Sequence, residues 1–240
     1  MKRLNWLNIS LFIITILIVW LYVFAIQQNN NRKTNKINVT FLDNENPFLT
    51  QEMVNNLLKQ NLAQFNGIEK EKVVLKTIES VLNKHHTIEK AEVYTNIEGV
   101  LNAVVMQKKP VARVQTNAKK YYISNTGKTM PLSYNFTARV PLINTDIKSS
   151  ELKNYMPLLN FIYDNEFFKK NITGININQQ GNIELTTRNY NYKILLGKPQ
   201  NIENKLRNYE AFYHYAIKDT LINHYKKVNI MFNNQVVCSK

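Results

Sequence analysis

The sequence predicts an α+β protein: an N-terminal transmembrane helix, a small strand-helix-helix-strand-strand unit, then a strand-rich C-terminal domain with two helices. Three observations carry that expectation. Ile9 to Ile26 are apolar except for Ser10 and Thr15. The following stretch passes from period-two alternation to helical spacing and back. The remainder holds several short alternating runs, bounded by turn residues, and two helical patterns. A hydrophobic fraction of 44% over 240 residues suffices for packed cores and argues against wholesale disorder.

The first element is the simplest to justify. At about 1.5 Å per residue, the run from Ile9 to Ile26 nearly crosses a hydrocarbon layer of about 30 Å. Leu4, Trp6 and Leu7 extend it, and Trp6, Trp20 and Tyr22 suit the interfaces. A cleaved signal peptide is the competing reading, with Val23-Phe24-Ala25 as a weak cleavage site. The run exceeds the usual signal length of about 7–15 apolar residues, which favours an uncleaved anchor. Lys2 and Arg3 favour an inside N-terminus, against Arg32, Lys33 and Lys36 on the far side. The tail before the span is too small to be the functional part, so the bulk of the chain is expected outside. The expected division is a cytoplasmic tail over 1–5, a transmembrane helix over 6–28 and a linker over 29–35.

Beyond the linker, Ile37, Val39 and Phe41 alternate as in a half-buried strand, and Asp43 to Pro47 break it. Thr50 is placed to cap a helix striped with Met53, Val54, Leu57, Leu58 and Leu62. A second helix from about Lys72 presents Val73, Val74, Ile78, Val81 and Leu82. Two alternating runs, Ala91 to Ile97 and Leu101 to Val105, meet at Glu98-Gly99, a hairpin signal. Further on, Tyr121–Ser124 and Val140–Ile143 read as short strands about the turn at Asn125 to Gly127. Glu151 to Phe168 read as a helical region kinked or broken at Pro157. A meander follows, Ile175–Asn178, Ile183–Thr186 and Tyr192–Leu196, with a turn around Gly181. A helix from about Asn201 carries Ile202, Leu206, Tyr209, Phe212, Tyr213 and Ile217. Val228, Ile230 and Phe232 form the last strand, continued by Val236 to Cys238 and expected late in the sheet or at its edge.

The order strand, helix, helix, strand, strand resembles the POTRA module, assigned here to residues 36–113. The whole chain resembles the bacterial cell-division family FtsQ/DivIB, with residues 114–240 as its β-domain. Three stretches carry the likeness. Gln107-Lys-Lys-Pro110-Val-Ala112-Arg113-Val114 resembles the domain-joining segment. Tyr122-Ile-Ser124, Gly127 and Val140-Pro-Leu142 resemble the opening of the β-domain. Leu196-Gly197, Lys205-Leu206 and Val228 to Val237 resemble its closing helix and strand. Asn229 and Met231 depart from the pattern, standing where members often carry an acid and an arginine. The resemblance implies a single-pass scaffold of the inner membrane at the division septum. It also implies binding to FtsB/DivIC-like and FtsL-like partners, and regulation of septal peptidoglycan synthesis, with the septal synthase complex as a further partner.

Chemistry is sparse. His85, His86, His214 and His224 form no metal-ligand spacing, and there is no phosphate loop or nucleophile elbow. No catalytic residue, metal or cofactor is therefore expected. The single cysteine, Cys238, excludes an internal disulfide. The formal charge is +14, and Gly99 to Thr145 contain no Asp or Glu. Such a surface attracts anionic partners, though nucleic acid does not fit the expected topology. An alternative is thus a membrane-anchored protein that binds or modifies peptidoglycan. Partner binding is expected on one edge strand, at Val228, Ile230, Met231, Phe232, Asn233, Asn234, Gln235 and Val236. Gln107, Pro110, Ala112 and Arg113 are expected to serve as the joining segment.

Overall fold

A segment without charge or helix breaker has nothing to interrupt its backbone ladder, and Trp6–Asn30 accordingly form one helix, α1. Its described side chains are exposed all round, and Ile9–Gln27 are long and apolar enough to cross a membrane. The computed structural model describes residues 6–30, 37–43, 47–64, 71–96, 100–116, 119–145, 151–218, 221–232 and 234–240. Most of the expected linker lies outside these, as does the Glu98-Gly99 turn.

The chain divides into two compact units. The first comprises Met1–Thr40, Gln51–Ser80 and Ala91–Val105. The second comprises Phe41–Thr50, Val81–Lys90 and Met106–Lys240. A three-stranded sheet has the order β1-β3-β2, built from β1 (Ile37–Phe41), β2 (Ile88–Thr95) and β3 (Leu101–Gln107). Alternation gives it one apolar face. Val39, Ala91, Val93, Leu101, Ala103 and Val105 are buried while their neighbours are not. Helices α2 (Gln51–Gln64) and α3 (Glu71–Asn83) contribute buried Val54, Leu58, Ile78 and Leu82. The expected order of elements is present. Met53 departs from the expected stripe, being 41% exposed.

Among the described residues the larger sheet has nine strands, in the order β12-β11-β10-β9-β8-β7-β4-β5-β6. They are β4 (Pro110–Gln115), β5 (Lys120–Ser124), β6 (Thr129–Met130), β7 (Leu142–Thr145), β8 (Ile172–Ile177) and β9 (Ile183–Thr187). The last three are β10 (Lys193–Gly197), β11 (Lys227–Asn229) and β12 (Val237–Ser239). The pairs β4/β7, β7/β8 and β10/β11 are parallel and the rest antiparallel. Register sets Val114, Ile143, Ile175, Leu185, Ile194 and Val228 side by side across six strands. All six are wholly buried, so this row is the floor of the core. The adjacent row, Arg113, Leu142, Gly174, Thr186, Lys193 and Lys227, points the other way and is partly or fully exposed. At Gly174 a Cβ would sit 2.7 Å from the Thr186 hydroxyl, so a side chain there would require the Thr186 side chain to shift.

Helices α4 (Met156–Asp164), α5 (Glu166–Asn171) and α6 (Ile202–Lys218) accompany this sheet, with α4 packed on β4 and α6, and α5 on β8. The Glu151 to Phe168 region changes character at Pro157, as expected: a 3-10 helix over Glu151–Tyr155 gives way to α4, with Pro157 in its first turn, where the missing N–H has no helical role. A second break falls at Asn165, whose side chain accepts hydrogen bonds from the N–H groups of Phe167 and Phe168 and so caps α5. Among the described residues the C-terminal region therefore holds three α-helices, where two were expected. Two short strands also shift: the Val140–Ile143 run forms strand only from Leu142, and β6 was not foreseen.

The core between α5, α6 and β10 is unusually aromatic. Phe167, Phe168, Tyr190, Tyr192, Tyr209 and Tyr213 pack at ring separations of 4.9–6.4 Å. The hydroxyls of Tyr192 and Tyr209 meet at 2.7 Å in its interior, and burial pushes both phenols well above their ordinary range. A second, smaller cluster in the same unit joins Phe48 to Tyr122, Met130 and Ala138, with Phe136 packed edge-on against Phe48 at 5.2 Å.

Truncating one partner of the tyrosine pair leaves the other buried and unpaired. Tyr209→Phe is expected to cost about 1–3 kcal/mol, whereas Tyr192→Phe combined with Tyr209→Phe should be nearly neutral. Urea unfolding of the two variants and the parent checks this, and a double variant no better than Tyr209→Phe would contradict it.

Candidate functional site

The chain from Lys227 onward holds the residues expected to bind a partner, and it does not form one continuous strand. Parallel pairing with β10 lasts three residues, from Lys193↔Lys227 to Leu195↔Asn229. Ile230 still donates its N–H to the Leu195 carbonyl at 2.9 Å. The chain then leaves the sheet, and Val237–Ser239 return antiparallel to β11 as β12, with Val228 opposite Cys238. The edge strand is therefore β12 and not the 227–237 run. Among the described residues no further strand pairs with its outer side.

This geometry sorts the expected contact residues. Val228 and Ile230 are wholly buried, so their side chains belong to the core. Met231 and Phe232 are 44% and 48% exposed, and Val237, outside the expected set, is 45% exposed. Asn234 and Gln235 are exposed, and Val236 is half-buried against the core. Asn233 lies outside the described residues. The sequence signal that could have found the break is Asn229-Ile230-Met231. The Asn229 side-chain oxygen accepts the Met231 N–H at 2.9 Å, a local turn that Asn commonly makes.

Three further contacts shape this edge. Gly197, at the end of β10, has φ +75°, a conformation nearly reserved for glycine. A Cβ there would lie 2.9 Å from Met231 Cγ and 3.1 Å from its sulfur. The Lys205 ammonium, from the first turns of α6, donates to the Leu196 carbonyl at 3.2 Å, and burial lowers its pKa. Cys238 is half-buried on the core side of β12, and burial raises its thiol pKa. Lys226 and Lys227 are exposed beside these residues, giving the edge a positive rim.

The segment expected to join the domains is built into the second unit. Gln107 is buried, and its side-chain oxygen accepts the Leu49 N–H at 2.9 Å. The buried Lys108 ammonium donates to the His86 carbonyl at 2.7 Å, and its backbone N–H donates to the Thr87 carbonyl. Pro110 and Ala112 lie in β4, Ala112 wholly buried, and Arg113 donates its N–H to the Pro141 carbonyl at 2.9 Å. A domain boundary at 113 would thus cut a strand of the large sheet. The Arg113 Nε is buried without a hydrogen-bond partner. No group of three or more His, Cys, Asp or Glu that could hold a metal occurs among the described residues. His214 packs its ring against Phe167 at 5.5 Å.

Residues 109–239 match the family model described as FtsQ/DivIB, C-terminal related, and residues 32–106 match that of a POTRA-like domain. No curated protein matches the chain. Domains of both kinds are non-enzymatic and scaffold-type.

The buried joining segment and the exposed edge should respond differently to truncation. Gln107→Ala leaves the Leu49 N–H buried and unpaired, at a cost of about 1–3 kcal/mol. Phe232→Ala, at a half-exposed ring, should change stability by no more than about 1 kcal/mol. Denaturant midpoints of the two variants, compared with the parent, give the measurement.

Proposed function

The chain belongs to the FtsQ/DivIB, C-terminal related family, and on that premise we propose that it is a single-pass scaffold of the bacterial divisome that captures partner division proteins on its β12 edge. The resemblance read from the sequence is borne out over both parts of the chain. Membership implies a role in cell division, and the apolar α1 suits a membrane anchor. The proposal adds the topology, the septal location, the partners and the surface. The N-terminus lies in the cytoplasm, α1 crosses the inner membrane, and the remainder faces outward at the septum. The partners are FtsB/DivIC-like and FtsL-like proteins, and through them the chain regulates septal peptidoglycan synthesis without catalysing it.

One observation supports the choice of surface above the rest. A short edge strand with an unpaired outer side stands next to three exposed apolar side chains, Met231, Phe232 and Val237. An uncovered edge offers backbone N–H and C=O groups to an incoming strand. A three-residue edge offers only two or three such bonds, each worth about 0.5–1.5 kcal/mol net. Backbone pairing alone is therefore weak, and the apolar side chains must supply the anchor. Lys226 and Lys227, as rim charges, act more on encounter rate than on final affinity.

Inward and outward N–H groups alternate along a strand, so single prolines at Val237, Cys238 and Ser239 separate the two sides. Full-length chain in detergent is tested for capture of its purified FtsB/DivIC-like and FtsL-like partners. At least one proline should abolish capture with an unchanged melting temperature, and Phe232→Ala should weaken it about tenfold. Capture that survives all four substitutions, or fails only in variants that unfold, sinks the edge mechanism.

A further inference from the structure

We propose that Gly197, Asn229 and Met231 form a latch that fixes where the chain leaves the sheet after Ile230, and so positions both β12 and Phe232. Three contacts converge on that point. The Ile230 N–H is held by the Leu195 carbonyl at 2.9 Å, which ends the parallel ladder. The Asn229 side-chain oxygen takes the next N–H but one, that of Met231, at 2.9 Å and turns the backbone outward. The Met231 side chain then lies in the space that Gly197 leaves by having no Cβ, its Cγ and sulfur 2.9 and 3.1 Å from where that atom would be. The positive φ of Gly197 is what carries β10 past this point, so the notch and the strand end come from one residue.

The physical argument for a positioning role is leverage. Among the described residues between Ile230 and Val237 there is no strand pairing, and β12 itself pairs over only three residues. So short a strand contributes little stability by itself, and its place depends on where the connecting loop begins. A thioether seated in a shaped notch sets that beginning. Met231 thus acts through the backbone it anchors, although part of its surface remains exposed. The inference rests on the β12 edge being the partner site, but its first test does not.

Cys238 is the only thiol in the chain and lies half-buried on the core side of β12, so its labelling rate reports how often β12 lifts. Gly197→Ala, Met231→Ala and the double variant are compared with the parent as full-length protein, by thiol-reagent kinetics, melting temperature and partner capture. Either single substitution should speed Cys238 labelling about tenfold, since modification follows the population of the opened edge. The double variant should be no faster than the faster single one, because both changes break one contact. Capture of the FtsB/DivIC-like partner should fall in step. Unchanged labelling in Met231→Ala overturns the latch, and that variant decides the matter even if Gly197→Ala fails to fold. Faster labelling with unimpaired capture overturns the positioning role. A parent chain that captures no partner counts against the edge site alone, while its labelling kinetics still judge the latch.

Discussion

The parallel pairing of β10 with β11 is the contact on which the C-terminal half of the fold depends. Antiparallel neighbours are joined by a tight turn, but parallel ones require a crossover long enough to return the chain to the same end of the sheet. Here the crossover runs through α6, and the helix must lie across the sheet to make it. Its inward residues, Leu206, Tyr209, Tyr213 and Ala216, are thereby committed to the core. The first of its turns also brings Lys205 to the carbonyl that ends β10. Core, crossover and strand end are consequences of one strand direction.

The aromatic character of that core follows from the same constraint. Large flat side chains fill the space between helix and sheet with few rotamers to freeze. Tyrosine brings a hydroxyl with it, and a buried hydroxyl needs a partner. Tyr192 on the sheet side and Tyr209 on the helix satisfy each other, so the packing solution brings its polar groups into register at no unpaired site. A pair of this kind fixes the lateral position of α6 more sharply than apolar contact would, because hydrogen bonding falls off steeply with misalignment.

How far the sequence foretold this depends on the length of each signal. Alternation over β2 and β3 and helical spacing in α6 extend over many residues, and those elements stand where periodicity put them. The failures fall on two- and three-residue elements and on polar side chains with local roles. β6 has two residues and no period at all. Pro157 does mark where a 3-10 helix gives way to α4, but the second break, made by Asn165 capping α5, carries no comparable signal. Val228, Ile230 and Phe232 alternate as a strand should, yet only the first lies in one. The period was real, and its extent was set by the Met231 N–H donating to the Asn229 side chain, a local turn that alternation does not encode. The joining segment lies where the two family models meet, but its burial is not written in its composition: the Lys108 ammonium donates a hydrogen bond to the His86 carbonyl, and Pro110 opens a strand where its missing N–H is tolerated.

The location of the exposed edge has a cause in this pattern of short elements. A sheet that ends on a long, flat strand invites uncontrolled association, and three residues of β12 limit that risk. The same brevity limits what backbone pairing contributes to specific recognition, so discrimination must reside in side chains. Met231 is constrained by Gly197, and Val237 by its place in β12, whereas no ring contact of Phe232 with the rest of the core is evident among the described residues. An exposed aromatic beside a weak edge and a basic rim is a combination in which each part is insufficient alone. On the proposed reading, charge draws the partner segment near, the edge orients it, and the ring gives it an apolar seat. Stability of the domain is left largely independent of all three, because the residues beneath them, Val228 and Ile230, are already wholly buried.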